Sequence, residues 1–137
     1  MPHHTSPPTA TAFALRREST KPFAEVVGNL ERRTAEHNFR VLHVHDVQAT
    51  LAERGLARGP LKIIEVCNAG FAHQALGKDI NVALFMPCRF VVHTEGGTTV
   101  VTLARPSMIA DLMPHAGLTE LARGIEQTLT AVVEESL

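Results

Sequence analysis

The chain has 137 residues, a hydrophobic fraction of 45%, a charged fraction of 20% and a formal net charge of −1. This length fits one domain with a single core, and the composition is typical of a globular protein. The near-zero charge without a basic block argues against nucleic-acid binding, and the absence of tryptophan and tyrosine argues against a base-stacking surface. No apolar run approaches the roughly 20 residues of a membrane helix, so no membrane association is expected.

The N-terminus differs in composition from the rest of the chain. Residues 1–10 are rich in proline, histidine and threonine, which predicts a disordered or loosely ordered tail before a single domain over residues 11–137. The start of the chain lacks the basic and apolar regions of a secretory signal, which favours a cytoplasmic location. In that compartment the two cysteines are expected as reduced thiols or ligands, not as a structural disulfide.

Apolar periodicity and turn residues define the predicted elements. In chain order, the five predicted strands cover residues 11–17, 39–47, 61–67, 88–95 and 98–104. The five predicted helices cover residues 22–37, 48–54, 70–76, 107–113 and 117–135. The first and last helices have one long apolar stripe each. The order of the elements predicts an α+β fold in which one antiparallel sheet packs against these two helices.

Local signals mark the ends of several of these elements. Thr20, Asp46 and Asn68 are predicted N-caps, because their side-chain oxygens can accept hydrogen bonds from the first turn of a helix. Gly77 is predicted to end the helix that Asn68 begins. The pair Gly96-Gly97 predicts a two-residue hairpin between the last two strands.

Two histidines on one predicted strand are candidate metal ligands. His43 and His45 are two residues apart, so both side chains leave the same face of the strand, roughly 6.6 Å apart at Cα. Two imidazoles on a rigid strand can bind a transition metal ion. The pair is also consistent with a half-exposed sheet face or a dimer contact.

The cysteines and a third histidine lie in the following strand-helix-strand unit. Cys67 directly precedes the helix capped by Asn68, where the helix dipole and free N–H groups favour a thiolate, although a free cysteine is often simply a small buried hydrophobe. Cys88 alternates with Phe90, which favours core packing. His73 lies at the boundary of the apolar helix face and can reach inward or toward a partner subunit.

Glu65 is a further candidate residue, and several known catalytic motifs are absent from the sequence. Glu65 shares a strand face with Cys67, which predicts a half-buried carboxylate that pairs with Arg89 or with a histidine. The sequence contains no glycine-rich phosphate loop, nucleophile elbow, CxxC or HExxH motif. Classical hydrolase, kinase and thioredoxin functions therefore lack their characteristic residues.

The segments EVCNAGFAHQAL and MPCRFVVHTEGG, with HVHDVQATLAERG upstream, resemble the DUF302 (TT1751-like) family. The resemblance covers about residues 12–114 and is greatest to a bacterial subset with the His-Val-His-Asp stretch. One departure is Ala69, where many members have proline. The resemblance implies an α+β fold of the TATA-binding-protein-like class, with a curved antiparallel sheet, helices on one face, and a homodimer. It also implies that Cys67 and Cys88 lie at the same end of neighbouring strands.

No activity is settled for that family as a whole. The leading hypothesis is a non-enzymatic module that binds a transition metal or haem, with a place in redox or sulfur metabolism. The candidate ligands are His43, His45, Cys67, His73 and Cys88. A second hypothesis is a thiol-dependent enzyme or sulfur carrier in which His73 activates Cys67 as a low-pKa nucleophile. A small-ligand-binding protein and a purely structural dimer are also compatible with the sequence.

Overall fold

Five strands form one antiparallel sheet in a computed structural model that describes residues 10–137. The strands are β1 (Ala14–Ser19), β2 (Arg40–Asp46), β3 (Leu61–Cys67), β4 (Cys88–Glu95) and β5 (Thr98–Ala104). Their order across the sheet is β1-β5-β4-β3-β2, and every neighbouring pair is antiparallel. The predicted α+β class is therefore confirmed. Of the predicted tail, residues 1–9 lie outside the described part of the chain.

Helices connect the strands and cover one face of the sheet. They are α1 (Phe23–Glu36), α2 (Val47–Ala52), α3 (Ala69–Lys78), α4 (Ser107–Leu112) and α5 (Thr119–Ser136), with a 3-10 helix (Ile80–Phe85) between α3 and β4. Each predicted strand and helix is present, with its ends shifted by at most three residues. The 3-10 helix was not predicted, because its six residues are too few to show an apolar periodicity. Within residues 10–137, no helix combines the length and apolar character needed to cross a bilayer.

The core lies between the sheet and the two long helices. Alternation along β4 directs Phe90 and Val92 toward these helices, and both side chains are fully buried. The apolar stripes of α1 and α5 contribute Leu30 and Leu129, which are also fully buried. The expected packing of one sheet against α1 and α5 is thus confirmed.

Three of the local signals are confirmed. Asp46 and Asn68 cap α2 and α3, and each side chain accepts a hydrogen bond of 3.0 Å from the N–H group three residues later. Gly96 and Gly97 connect β4 to β5 with φ angles of +54° and +85°. Glycine reaches this left-handed conformation without a steric penalty, which explains the two-residue hairpin.

Two of the predicted helix ends are wrong. Thr20 does not cap α1, because Pro22 holds the N-cap position and its carbonyl accepts the first hydrogen bonds of the helix. Gly77 does not end α3, which continues to Lys78. An isolated glycine costs a helix only about 1 kcal/mol, so α3 continues past Gly77 and ends where Asp79 adopts an extended backbone.

We expect Leu129→Ala to lower the free energy of unfolding by about 2–5 kcal/mol, because it removes a fully buried side chain between α5 and the sheet. The matched control is Leu112→Ala, which truncates a helical leucine that is 59% exposed. The control should change stability by no more than about 0.5 kcal/mol. Urea unfolding followed by circular dichroism measures both values, and equal losses in the two variants would contradict this placement of the core.

Candidate functional site

An apolar cavity lies where β3 ends and β4 begins. Its volume is about 60 Å³, which corresponds to room for ~4–6 water-sized groups. The walls come from the ends of both strands and from α3, the 3-10 helix, α4 and α5. Most of the lining side chains are aliphatic or aromatic, among them Phe39, Phe71, Val82, Phe85, Ile109 and Leu121.

The turn from β3 into α3 builds one wall of this cavity. Asn68 caps α3 and also donates a hydrogen bond of 3.0 Å from Nδ2 to the carbonyl oxygen of Asn38, which ties the turn to the chain just before β2. Phe71 and Ala75 of α3 then face the cavity. The Phe71 ring packs against Phe39, with 5.9 Å between the ring centroids.

Both cysteines line the cavity, and both are free thiols. Cys88 pairs with Val66 across the two strands, and Cys67 is the next residue on β3. The expectation that the cysteines lie at the same end of neighbouring strands is therefore confirmed. Burial raises the pKa of Cys67. Burial, and then the neighbouring Cys67, raise the pKa of Cys88 to about 11, while Arg89 acts in the opposite direction. Both groups are accordingly protonated at neutral pH.

The expected lowering of the Cys67 pKa by α3 is wrong. The backbone N–H groups near the start of α3 serve Asn68, whose side chain accepts from Phe71 N at 3.0 Å and whose carbonyl accepts from Ala72 N at 2.9 Å. Desolvation is the dominant effect on the thiol, and it disfavours the charged form. A protonated thiol is a weak nucleophile, so the environment of Cys67 does not favour covalent catalysis.

His73 lies away from the thiols. Phe71 and Ala75 face the cavity, and a residue midway between them on an α-helix projects about 200° from either one. The side chain of His73 is accordingly exposed. This orientation directs the imidazole toward solvent, so it does not supply the base that the enzyme hypothesis places beside Cys67.

His43 and His45 lie on the sheet face opposite the core. Their shared orientation is confirmed, since the two rings make an edge contact with centroids 4.3 Å apart. Nε2 of His45 is 3.3 Å from Oε2 of Glu65, which confirms the prediction that this carboxylate pairs with a histidine. Ile64, the neighbour of Glu65 on β3, is fully buried on the core side, so alternation turns Glu65 to the other face. Both imidazoles are exposed.

The five candidate ligands do not form one common site. Among residues 10–137, no group of three or more histidine, cysteine, aspartate or glutamate side chains is arranged to hold a metal ion. The histidine pair, the exposed His73 and the two thiols occupy three separate places. The cavity beside the thiols is also far smaller than the roughly 300–1,000 Å³ of pockets for drug-sized ligands, so it has no room for a haem macrocycle.

A hydrogen-bond network that the sequence did not reveal holds α4, which forms one side of the cavity, against α5. Glu126 of α5 accepts hydrogen bonds from the backbone N–H and the hydroxyl of Ser107, at 3.1 and 2.6 Å, and from Nε of Arg105 at 3.1 Å. Burial alone would raise the pKa of Glu126, but the bonds from Ser107 and the charge of Arg105 outweigh it and lower the pKa. Pro106 and Ile109, which line the cavity, adjoin this network.

Comparison with known proteins places the chain in a family. The family described as "Domain of unknown function DUF302" matches residues 15–136. The chain belongs to the DUF302 family. A solved structure, described as an uncharacterized conserved protein DUF302 from Bacillus stearothermophilus, is 32% identical with a TM-score of 0.86, and the match covers 91% of this chain and 98% of that chain. No curated protein matches the chain. The resemblance to DUF302 and the α+β fold are thus confirmed.

We expect both thiols of this DUF302 domain to react with an alkylating reagent more slowly at pH 7 than a free cysteine does, because the thiolate is the reactive form. Measured separately in Cys88→Ser and Cys67→Ser, the rates of both thiols should rise only in alkaline solution, and Cys67→Ser should move the rise of Cys88 to a lower pH, because Cys67 contributes to its raised pKa. A rate for Cys67 above that of a free cysteine near neutral pH would contradict this. Fewer than two titratable thiols per chain before added reductant would contradict the reduced state.

We expect the contribution of Glu126 to stability to depend on pH. A carboxylate with a lowered folded-state pKa stabilises the fold above its ordinary pKa of 4.5, and this contribution is lost as the pH falls through the folded-state pKa. Glu126→Gln should therefore lower the thermal midpoint at neutral pH, and its difference from the parent should shrink in acid. Glu31→Gln, an exposed position in the middle of α1, is the control and should show neither effect. A constant difference for Glu126→Gln at all pH values would refute the linkage.

Proposed function

We propose that this DUF302 domain is a non-enzymatic module that binds a soft transition-metal ion through Cys67 and Cys88. The observation that supports this proposal is that two free thiols line one small apolar cavity. Thiolate sulfur is a preferred protein ligand of soft metal ions. An apolar cavity also limits the access of water to the metal and thereby protects it from competing ligands.

The raised pKa values favour binding over nucleophilic catalysis. A thiol that stays protonated at neutral pH is a poor nucleophile, but a metal ion can displace its proton when the metal–sulfur bond is strong enough. The burial that raises the pKa of Cys67 and Cys88 is thus compatible with a metal site. The same burial is unfavourable for a sulfur carrier, which needs a reactive thiolate.

The proposal leaves the three histidines out of this site. His43 and His45 are exposed on the sheet face opposite the core, and His73 is exposed on α3. A role for them as ligands of a separate ion or of haem stays a prediction. The homodimer, the cytoplasmic location, the place in redox or sulfur metabolism and the membership of a subset with the His-Val-His-Asp stretch also stay predictions.

We expect the purified, reduced protein to retain one soft metal ion per chain. The protein would be incubated under argon with Cu(I), Cd(II) or Zn(II) separately, desalted and subjected to elemental analysis. Retention of the bound ion should be lost in Cys67→Ser and in Cys88→Ser, because each variant removes one of two thiolate ligands.

The controls are His43→Ala and His73→Ala, which truncate exposed imidazoles outside the cavity. Both should retain as much metal as the parent. The proposal would be refuted if the parent retained none of the three ions, or if the histidine variants lost the metal while the serine variants kept it.

A further inference from the structure

A third sulfur-containing residue lines the cavity beside the two cysteines. Met86 lies two residues before Cys88, is half-buried and lines the same cavity as Cys67 and Cys88. Its side chain packs against a group of buried apolar residues under α4 and the start of α5, which consists of Ala75, Val82, Ala110, Leu118 and Ala122. Two cysteines and one methionine therefore line one small apolar cavity.

We propose that this cavity binds Cu(I), with Met86 as the third sulfur ligand beside Cys67 and Cys88. This inference rests on the proposed function and names the ion and a further ligand for the same site. Thiolate and thioether sulfur are the soft ligands that favour Cu(I). A thioether also adds a metal–ligand bond without adding charge to an apolar cavity, where each uncompensated charge is costly.

The available ligands are unsuitable for Zn(II). Structural zinc is almost always bound by four cysteine, histidine or carboxylate side chains in a tetrahedron. Within residues 10–137 no group of three or more such side chains is arranged around a metal position, and the three histidines discussed above lie elsewhere. An all-sulfur set of three donors meets the needs of a soft monovalent ion and leaves Zn(II) without a full coordination shell.

The test compares Met86→Leu with the parent in anaerobic competition against a chromogenic Cu(I) chelator. We expect Met86→Leu to weaken Cu(I) binding by at least about tenfold, because even residues behind the direct ligands commonly change metal affinity by 10–100-fold. Met113→Leu is the matched control, since Met113 is a half-buried methionine of the same apolar group that does not line the cavity. It should bind Cu(I) as the parent does.

A further readout depends on how the ion is held. X-ray absorption of the Cu(I) complex should show three sulfur neighbours in the parent and two in Met86→Leu. A count of two in the parent would overturn the assignment of Met86 as a ligand.

The outcomes separate this inference from the proposed function. If the serine variants lose Cu(I) but Met86→Leu keeps the parent affinity and sulfur count, the third ligand is wrong and the thiol site stands. If the parent retains one Zn(II) or Cd(II) per chain but no Cu(I), the monovalent selectivity is wrong and the thiol site stands. If the parent binds none of the ions, both the inference and the proposed function fail.

Discussion

The antiparallel pairing of β3 with β4 determines where the other parts of the molecule lie. Ile64 faces Phe90 across this pair, and both side chains are fully buried at the centre of the core. Val66 faces Cys88 two residues further along each strand. This pair brings together the two ends of the segment that contains α3 and the 3-10 helix, so that segment lies at the end of the sheet. A slip of one residue would turn Phe90 to the opposite face and remove Cys88 from the cavity. The core and the candidate site thus depend on the same register.

The alternation of side chains in that pairing explains why residues gathered in sequence separate in space. Successive residues of a strand point to opposite faces, so the imidazoles of β2 and the carboxylate of Glu65 lie on the face away from the long helices. The thiols lie at the strand ends, where the chain turns and a wall of helices replaces the neighbouring strands. The helix period likewise directs His73 outward. Candidate residues that are close along the chain therefore lie on different surfaces, because side chains alternate along a strand and rotate by about 100° per residue along a helix.

The parts of the fold that sequence reasoning could predict are those with a local cause. The caps at Asp46 and Asn68 and the Gly96-Gly97 hairpin each depend on residues within one turn of the chain. The parts that were missed depend on tertiary contacts. The bonds of Glu126 join elements about twenty residues apart, and the pKa of Cys67 depends on burial by surrounding walls. Helix position alone favoured a thiolate, whereas burial raises the pKa of that thiol.

Burial of the thiols itself limits what the candidate site can bind. With a pKa of about 11, Cys88 requires about 5 kcal/mol for deprotonation at neutral pH, since each pKa unit corresponds to 1.36 kcal/mol. A ligand must supply that free energy through its bond to sulfur before any net affinity results. Weakly coordinating ions and mild electrophiles form bonds to sulfur that are too weak to supply this free energy. A strongly thiophilic ion forms a bond that is strong enough. Desolvation therefore lowers the reactivity of the thiols at neutral pH. In the proposed function, the same desolvation would favour ions that form strong bonds to sulfur over weakly coordinating ions.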